Sequence, residues 1–250
     1  MLDWAAPWFA PWREPGERAA RLHAQGVPLH QALAGAAQAP VTFVAQEELP
    51  AGEAYESFIL RTASCPTRDN LHDFFNGLAW LRFPQAKRVL NRLQCAEIEA
   101  GRREVRGPVR DAITVFDENG ALLQAPPELW HALLARDWRR LFIDLRPMWA
   151  DARLLVFGHA LLEKLARPRK DITAHVLAAD CPIEEADTWL ASQLAADRLA
   201  GKPFTPLPLA GIPGWWAGNE DFSFYDDSLV FRPARQQNEK TTAQPAASRP

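Results

Sequence analysis

Apolar residues recur at helical spacing between positions 70 and 98. Leu71, Phe74, Phe75 and Leu78 form one stripe, the signature of an amphipathic helix, here over 70–82. Asp69 or Asn70 can cap it, because their side-chain oxygens accept the unpaired N–H groups of a first turn. Pro84 ends this helix and suits the first position of the next, about 85–98, whose apolar face is Ala86, Val89, Leu90 and Leu93. Two shorter helices are expected near 15–25 and 28–37, separated by Gly26 and Pro28. Val41–Val44 reads as a strand, and Tyr55–Leu60 as a weaker one. Val109–Leu123 reads as a β-hairpin, with strands near 111–116 and 121–125 and Asp117-Glu118-Asn119-Gly120 as its turn.

Beyond the hairpin, Pro126-Pro127 opens a helix with Leu129, Trp130, Leu133, Leu134, Trp138 and Leu141 on its apolar face. Further helices are expected over 152–166, stopped by Pro168, and over 183–200, between Pro182 and Gly201. Both ends of the chain lack this regularity. Trp4, Trp8 and Trp12 are interleaved with Pro7, Pro11 and Pro15, which break a continuous helix and leave an irregular arm packing its rings on the body. Residues 206–233 combine Gly, Pro and aromatics and read as an ordered, mostly irregular strap in which one of Trp215 and Trp216 fills the core. The polar stretch 236–250 has no periodicity and is expected to be a disordered tail. The pattern predicts an α+β fold, mostly helical, with a hairpin or small sheet: a single globular domain over 1–235.

Composition adds few constraints. With 48% apolar and 24% charged residues the chain is of ordinary globular make-up. Its formal charge of −3 gives nucleic-acid binding no support. The longest strongly apolar run, Leu154–Leu162, is too short to span a bilayer. Cys65, Cys95 and Cys181 form neither a disulfide framework nor a zinc-ligand spacing, which fits the cytoplasm.

The candidate chemistry centres on the helix at 70–82. His72, Asn76 and Asp69 share a sector with Asp73 at its edge, and Trp80 and Phe83 continue it. Polar groups beside large aromatics are costly unless partnered, so this is either a satisfied structural network or a site. As a site, His72 would be the acid or base, Asp73 or Asp111 would orient it, Asn76 and Arg110 would hold a polar or anionic group, and Trp80 would form a wall. As a network, the carboxylates cap the helix and His72 satisfies a backbone carbonyl. His159 and Glu163 lie one turn apart in an apolar segment. There the plainer expectation is a buried histidine bonded to Glu163 or to backbone. Asp117 and Glu118 are expected to be turn residues. No ligand spacing on one helix names a metal, and no GxSxG, GxxxxGK or GxGxxG motif names a nucleophile or a cofactor. A hairpin-plus-helix nuclease would need a histidine on the hairpin, and this stretch has none.

Five blocks carry a resemblance: HDFFNGLAWLRFP at 72–84, RDAITVFDENG at 110–120, FGHALLEKL at 157–165, PLPLAGIPGWW at 206–216 and FYDDSLVFRP at 224–233. Taken in that order, they make the chain resemble the bacterial family known as domain of unknown function 3025. The resemblance implies a bacterial, cytoplasmic, single-domain protein. It implies no activity and carries over no catalytic residue. The functional expectation from the residues is a small-molecule enzyme using general acid/base, hydrolytic chemistry. The alternative is a non-catalytic binding or scaffold protein whose buried polar network is structural.

Overall fold

Prolines start several of the helices. The structure, a computed structural model, describes residues 2–101 and 107–234. Pro7 and Pro11 lie in a 3-10 helix, Pro7–Trp12, that buries Phe9 and Trp12 and leads into α1 (Arg13–Ala24) and then α2 (Leu29–Ala36). The expected arm is thus a short helical turn with Trp12 fully in the core and Trp4 and Trp8 half-buried against it. Strand β1 (Thr42–Ala45) follows.

The weak strand expected at 55–60 is instead helix α3 (Tyr55–Thr62). Phe58 and Ile59 are buried while Leu60 stays exposed, so the segment buries one helical face rather than alternate residues. Ala63, at φ 53°, closes α3, and β2 (Ser64–Thr67) returns to pair in parallel with β1, Phe43 beside Cys65.

Helix α4 (Leu71–Arg82) starts where its cap predicts: the Asn70 side chain accepts from the Asp73 N–H at 2.8 Å. Pro84 is the first residue of α5 (Pro84–Glu99).

The hairpin expected over 111–125 is not formed. Residues 108–119 are helix α6 (Pro108–Asn119), and β3 (Gly120–Gln124) begins at the supposed turn. Pro108 at the first helical position and Val109, Ala112, Ile113 and Phe116 at 3.6-residue spacing outweigh the local β-propensity of Ile113-Thr114-Val115-Phe116. Gly120 adopts an extended conformation, φ −75° and ψ 153°, rather than the positive φ of a tight hairpin.

Helix α7 (Pro127–Ala135) stops at Arg136, φ 51°, short of the expected end. A wide turn, Arg140–Asp144, and a 3-10 helix, Arg146–Asp151, keep Leu141 and Trp149 in the core. The helix expected over 152–166 is half strand: β4 (Arg153–Val156) precedes α8 (His159–Leu165). β4 pairs antiparallel with β3, so its Leu155 and Val156 are buried by sheet formation. After β5 (Thr173–Ala178), the helix expected over 183–200 breaks at an extended Leu194-Ala195 into α9 (Ala186–Gln193) and α10 (Ala196–Ala200). The break lets α9 pack on α5 and α10 on α6.

β6 (Thr205–Pro208) completes a mixed sheet in the order β4-β3-β5-β6. Among the described residues the fold is therefore mostly helical α+β with two small sheets. The strap after β6 is ordered and mostly irregular. Buried Asn219 donates to the Ala210 and Ile212 carbonyls, the Tyr225 hydroxyl donates to the Gly211 carbonyl, and the Trp138 indole donates to the Arg232 carbonyl. Trp215 packs on Trp8 at 5.7 Å, and neither Trp215 nor Trp216 is fully buried. Tyr225 pins the strap and Phe224 is half-buried, but Phe222 is half exposed. The tail 236–250 lies outside the described residues. Among these, no helix is long and apolar enough to cross a membrane.

A chain of rings sets the helices that matter for chemistry. Phe157, between β4 and α8, lies 4.8 Å from Phe83 at the α4–α5 joint and 4.9 Å from Phe116 of α6. The Gly120 carbonyl accepts from the N–H groups of both Phe157 and Gly158, at 2.9 and 2.8 Å. The end of α6 and the start of α8 are thereby stitched together beside α4 and α5.

Candidate active site

Helices α3, α4, α5, α6 and α8 surround a cleft of about 470 Å³. It brings together His72, Asp73, Asn76, Trp80 and Arg110 from the sequence-predicted set; Asp111, one residue further round α6, is not among its lining residues. Lys87, Asp117, Glu118 and His159 also line it.

The two histidines meet in the cleft. Nε2 of His72 and Nε2 of His159 are 3.1 Å apart, with the rings edge to face. His72 Nδ1 lies 3.0 Å from Glu163 Oε2. Glu163 is therefore the carboxylate that orients His72, whereas Asp73 accepts from the Arg68 backbone N–H and guanidinium. The pairing expected between His159 and Glu163 is replaced by one in which both contact His72. His159 is buried, as its apolar neighbours predict, with a side chain 6% exposed against 36% for His72. Solvent reaches this pair through His72.

Asp117 and Glu118 are not turn residues. They occupy the last turn of α6 and face the histidines: Asp117 Oδ2 is 3.7 Å from His159 Nδ1, and Glu118 Oε1 is 3.7 Å from His159 Nε2. Burial pushes the His159 imidazole down to about 4, against a smaller upward pull from Asp117, because a desolvated ring resists protonation. Burial and the neighbouring Asp117 charge push the Glu118 carboxyl up. Burial also acts upward on Asp117, but the Lys87 ammonium and then His159 outweigh it and hold that carboxyl below its usual range. Two adjacent carboxyls are thus driven apart by their surroundings, a pattern that separates acid from base roles in active sites.

Opposite the histidines runs a paired network. Lys87 Nζ donates to Asp117 Oδ1 at 2.6 Å and to Asn76 Oδ1 at 3.1 Å; Asn76 Nδ2 donates to the Tyr55 hydroxyl at 3.0 Å; and that hydroxyl lies 3.2 Å from Cys65 Sγ. Burial raises the Tyr55 hydroxyl well above its ordinary range and pushes the Cys65 thiol up to about 11, so both stay protonated at neutral pH. Lys87 is buried and lies 5.5 Å from the centre of the Trp80 ring. Asn76 is already engaged on both sides by Lys87 and Tyr55, which makes it a positioning group for the two.

Sequence reasoning passed over Lys87, Asp117 and Glu118. A signal for the first was present: Lys87, Asn91 and Gln94 follow helical spacing on α5 and are all buried, a polar stripe where an apolar one is usual. For the other two, the mistaken hairpin placed them at a loop tip instead of on the face of α6 that carries Arg110 and Thr114. Among the described residues, His72, Glu118 and His159 form a group able to hold a metal ion, each offering a donor atom within 4.8 Å of the others.

A family described as protein of unknown function (DUF3025) matches residues 41–235. The chain belongs to the DUF3025 family. The matched region holds every residue of the histidine centre and the Lys87 network, while α1 and α2 lie before it. No curated protein and no solved structure matches the chain.

Proposed function

We propose that the cleft is the active site of an enzyme that hydrolyses a small polar molecule. The observation that carries this reading is the His72–His159 contact, backed by Glu163 and flanked by Glu118, at the wall of a cleft large enough for a small ligand. A carboxylate on Nδ1 fixes an imidazole's orientation and leaves the Nε2 lone pair to act, here beside His159 Nε2. His72, His159 and Glu118 handle the attacking water. Trp80 offers an apolar wall, and the Lys87 ammonium, held by Asp117 and Asn76, opposes negative charge that develops during attack.

The Cys65–Tyr55–Asn76–Lys87–Asp117 chain supports a second reading for its half of the cleft, since its partners satisfy one another as a structural network requires. The two readings differ in what His72→Ala does. The full chain is incubated with a metabolite extract in heavy-oxygen water and followed by mass spectrometry. Hydrolysis consumes some masses and yields products that sum to substrate plus one labelled water. His72→Ala is expected to slow this by about 100-fold or more at an unchanged melting temperature. Extracts that stay indistinguishable from the protein-free control refute hydrolysis and leave the scaffold reading.

A further inference from the structure

We infer that His72, His159 and Glu118 bind a single divalent transition-metal ion, with Zn²⁺ the best match to the donor set. The inference deepens the hydrolytic reading and rests on the same cleft.

The argument starts from tautomers. Glu163 at 3.0 Å from His72 Nδ1 calls for a proton on that nitrogen, which leaves Nε2 with a lone pair. His159 Nδ1 is enclosed, makes no hydrogen bond among the described residues, and has Asp117 Oδ2 as a carboxylate neighbour at 3.7 Å. A proton on that Nδ1 is favoured by the carboxylate, and a bare lone pair there is not. With both Nδ1 atoms protonated, two Nε2 lone pairs crowd one gap of 3.1 Å, the ring centres 4.5 Å apart. That contact is repulsive unless a positive charge lies between them. A shared proton would relieve it along a line. A metal ion would also use the third donor, Glu118 Oε1, 3.7 Å from His159 Nε2.

The spacing fits the ion. Bonds of about 2.0–2.2 Å in a tetrahedral arrangement set donor atoms roughly 3.3 Å apart. The observed separations of 3.1 and 3.7 Å bracket that value; the donors of His72 and Glu118 lie within 4.8 Å of each other and draw in to about 3.3 Å on an ion. Two neutral imidazoles and one carboxylate form a three-ligand set that leaves a fourth position open, as catalytic zinc sites do. The outer partners are also present: Glu163 behind His72, and Asp117 behind His159, the carboxylate–histidine arrangement that aligns metal ligands. The ammonium of Lys87 is matched by Asp117 at 2.6 Å. When bound, such an ion lowers the pKa of its water toward neutrality and so supplies a hydroxide for attack. The residues of the chain hold the ion, keep His72 in register through Glu163, and present the open position to the cleft.

The test measures binding directly, apart from turnover. The full chain is stripped with a chelator and titrated with ZnCl₂ by calorimetry, and separately with CoCl₂, whose visible absorption reports coordination by nitrogen and oxygen. One ion per chain is expected. Glu118→Gln, which keeps the side chain's shape, should weaken Zn²⁺ by at least about 10-fold, and His72→Ala should abolish saturable binding. Glu163→Gln should weaken it by about 10- to 100-fold through misalignment of His72. Absence of stoichiometric binding to folded wild type overturns the inference, as does binding that Glu118→Gln and His72→Ala leave unchanged. Hydrolysis that persists in excess chelator also overturns it while sparing the hydrolytic reading. Stoichiometric, mutation-sensitive binding without turnover upholds the metal site and removes the hydrolytic reading.

Discussion

Replacing Lys87 with Met removes a buried ammonium and keeps most of the chain's volume. In the folded protein Lys87 meets Asp117 at 2.6 Å and Asn76 at 3.1 Å, and its own side chain is 6% exposed. At an effective dielectric near 20, charges at that distance attract by roughly 6 kcal/mol. Desolvation of both ions offsets much of this, so the net worth of the pair is far smaller. The cost of breaking it by half is a different quantity, because Asp117 is left among low-dielectric walls without its cation. Breaking a buried pair costs about 3–5 kcal/mol. The Asp117 side chain keeps 26% exposure, so the lower end, about 3 kcal/mol, is expected, including about 1 kcal/mol for the donor lost by Asn76. For a chain of this length that is a fall of roughly 6–12 °C in melting temperature. Adding Asp117→Asn removes the stranded charge, and the double variant should regain about 2 kcal/mol. Urea melts of wild type, both single variants and the double complete the cycle. A Lys87→Met protein as stable as wild type, or a double variant no better than Lys87→Met, would refute the account of Lys87 as the cation that holds Asp117 ionised.

Two further outcomes follow from the site's frame. Gly158→Ala should destabilise the protein by about 2 kcal/mol or more, although its φ of −64° suits alanine, because the new Cβ would stand 2.4 Å from the Glu118 carbonyl oxygen; a melting temperature equal to wild type would show that α6 and α8 are not held this close. In chelator-treated protein, the His159 ring titrates near 4 when folded and near 6.5 when unfolded. The unfolded chain therefore takes up a proton first, so stability is lost as pH falls from 6.5 toward 4, by up to about 3 kcal/mol. Glu118, whose carboxyl is raised, works in the opposite sense, while His72, Asp117 and Lys87 also face the ring. The quantity to measure is thus the difference between wild-type and His159→Gln urea midpoints across that window, and a flat difference would contradict a buried neutral ring.

Local signals were legible where one rule spoke alone. The Asn70 cap and Pro84 mark α4 and α5 because capping and the missing proline N–H act within a turn. The hairpin failed where two rules competed. Asn119-Gly120 has turn chemistry, but the apolar spacing from Val109 to Phe116 fits a helix, and burial of that face decided the outcome. The same competition hid β4, since Leu154, Leu155 and Val156 suit either a buried helix or a buried strand until β3 is there to pair with them. His72, Asn76 and Trp80 stood out because a single helix carries them. The His72–His159 contact did not, as it joins helices distant in the chain. Glu118 was lost with the hairpin, and Lys87 was hidden by the habit of reading lysine as solvated.

The double acceptance at the Gly120 carbonyl has an evolutionary consequence. The spacing between the end of α6 and the start of α8 rests on main-chain atoms: one oxygen and the N–H groups of Phe157 and Gly158. Away from Gly120 and Gly158, where a Cβ would stand 2.4 Å from a backbone oxygen, side-chain substitution leaves that carbonyl in place, and of the two donors only a change to proline would remove one. Side chains projecting from the two helices can therefore be exchanged across descendants while the gap between them stays constant. A lineage could change what the cleft binds without first having to rebuild the cleft.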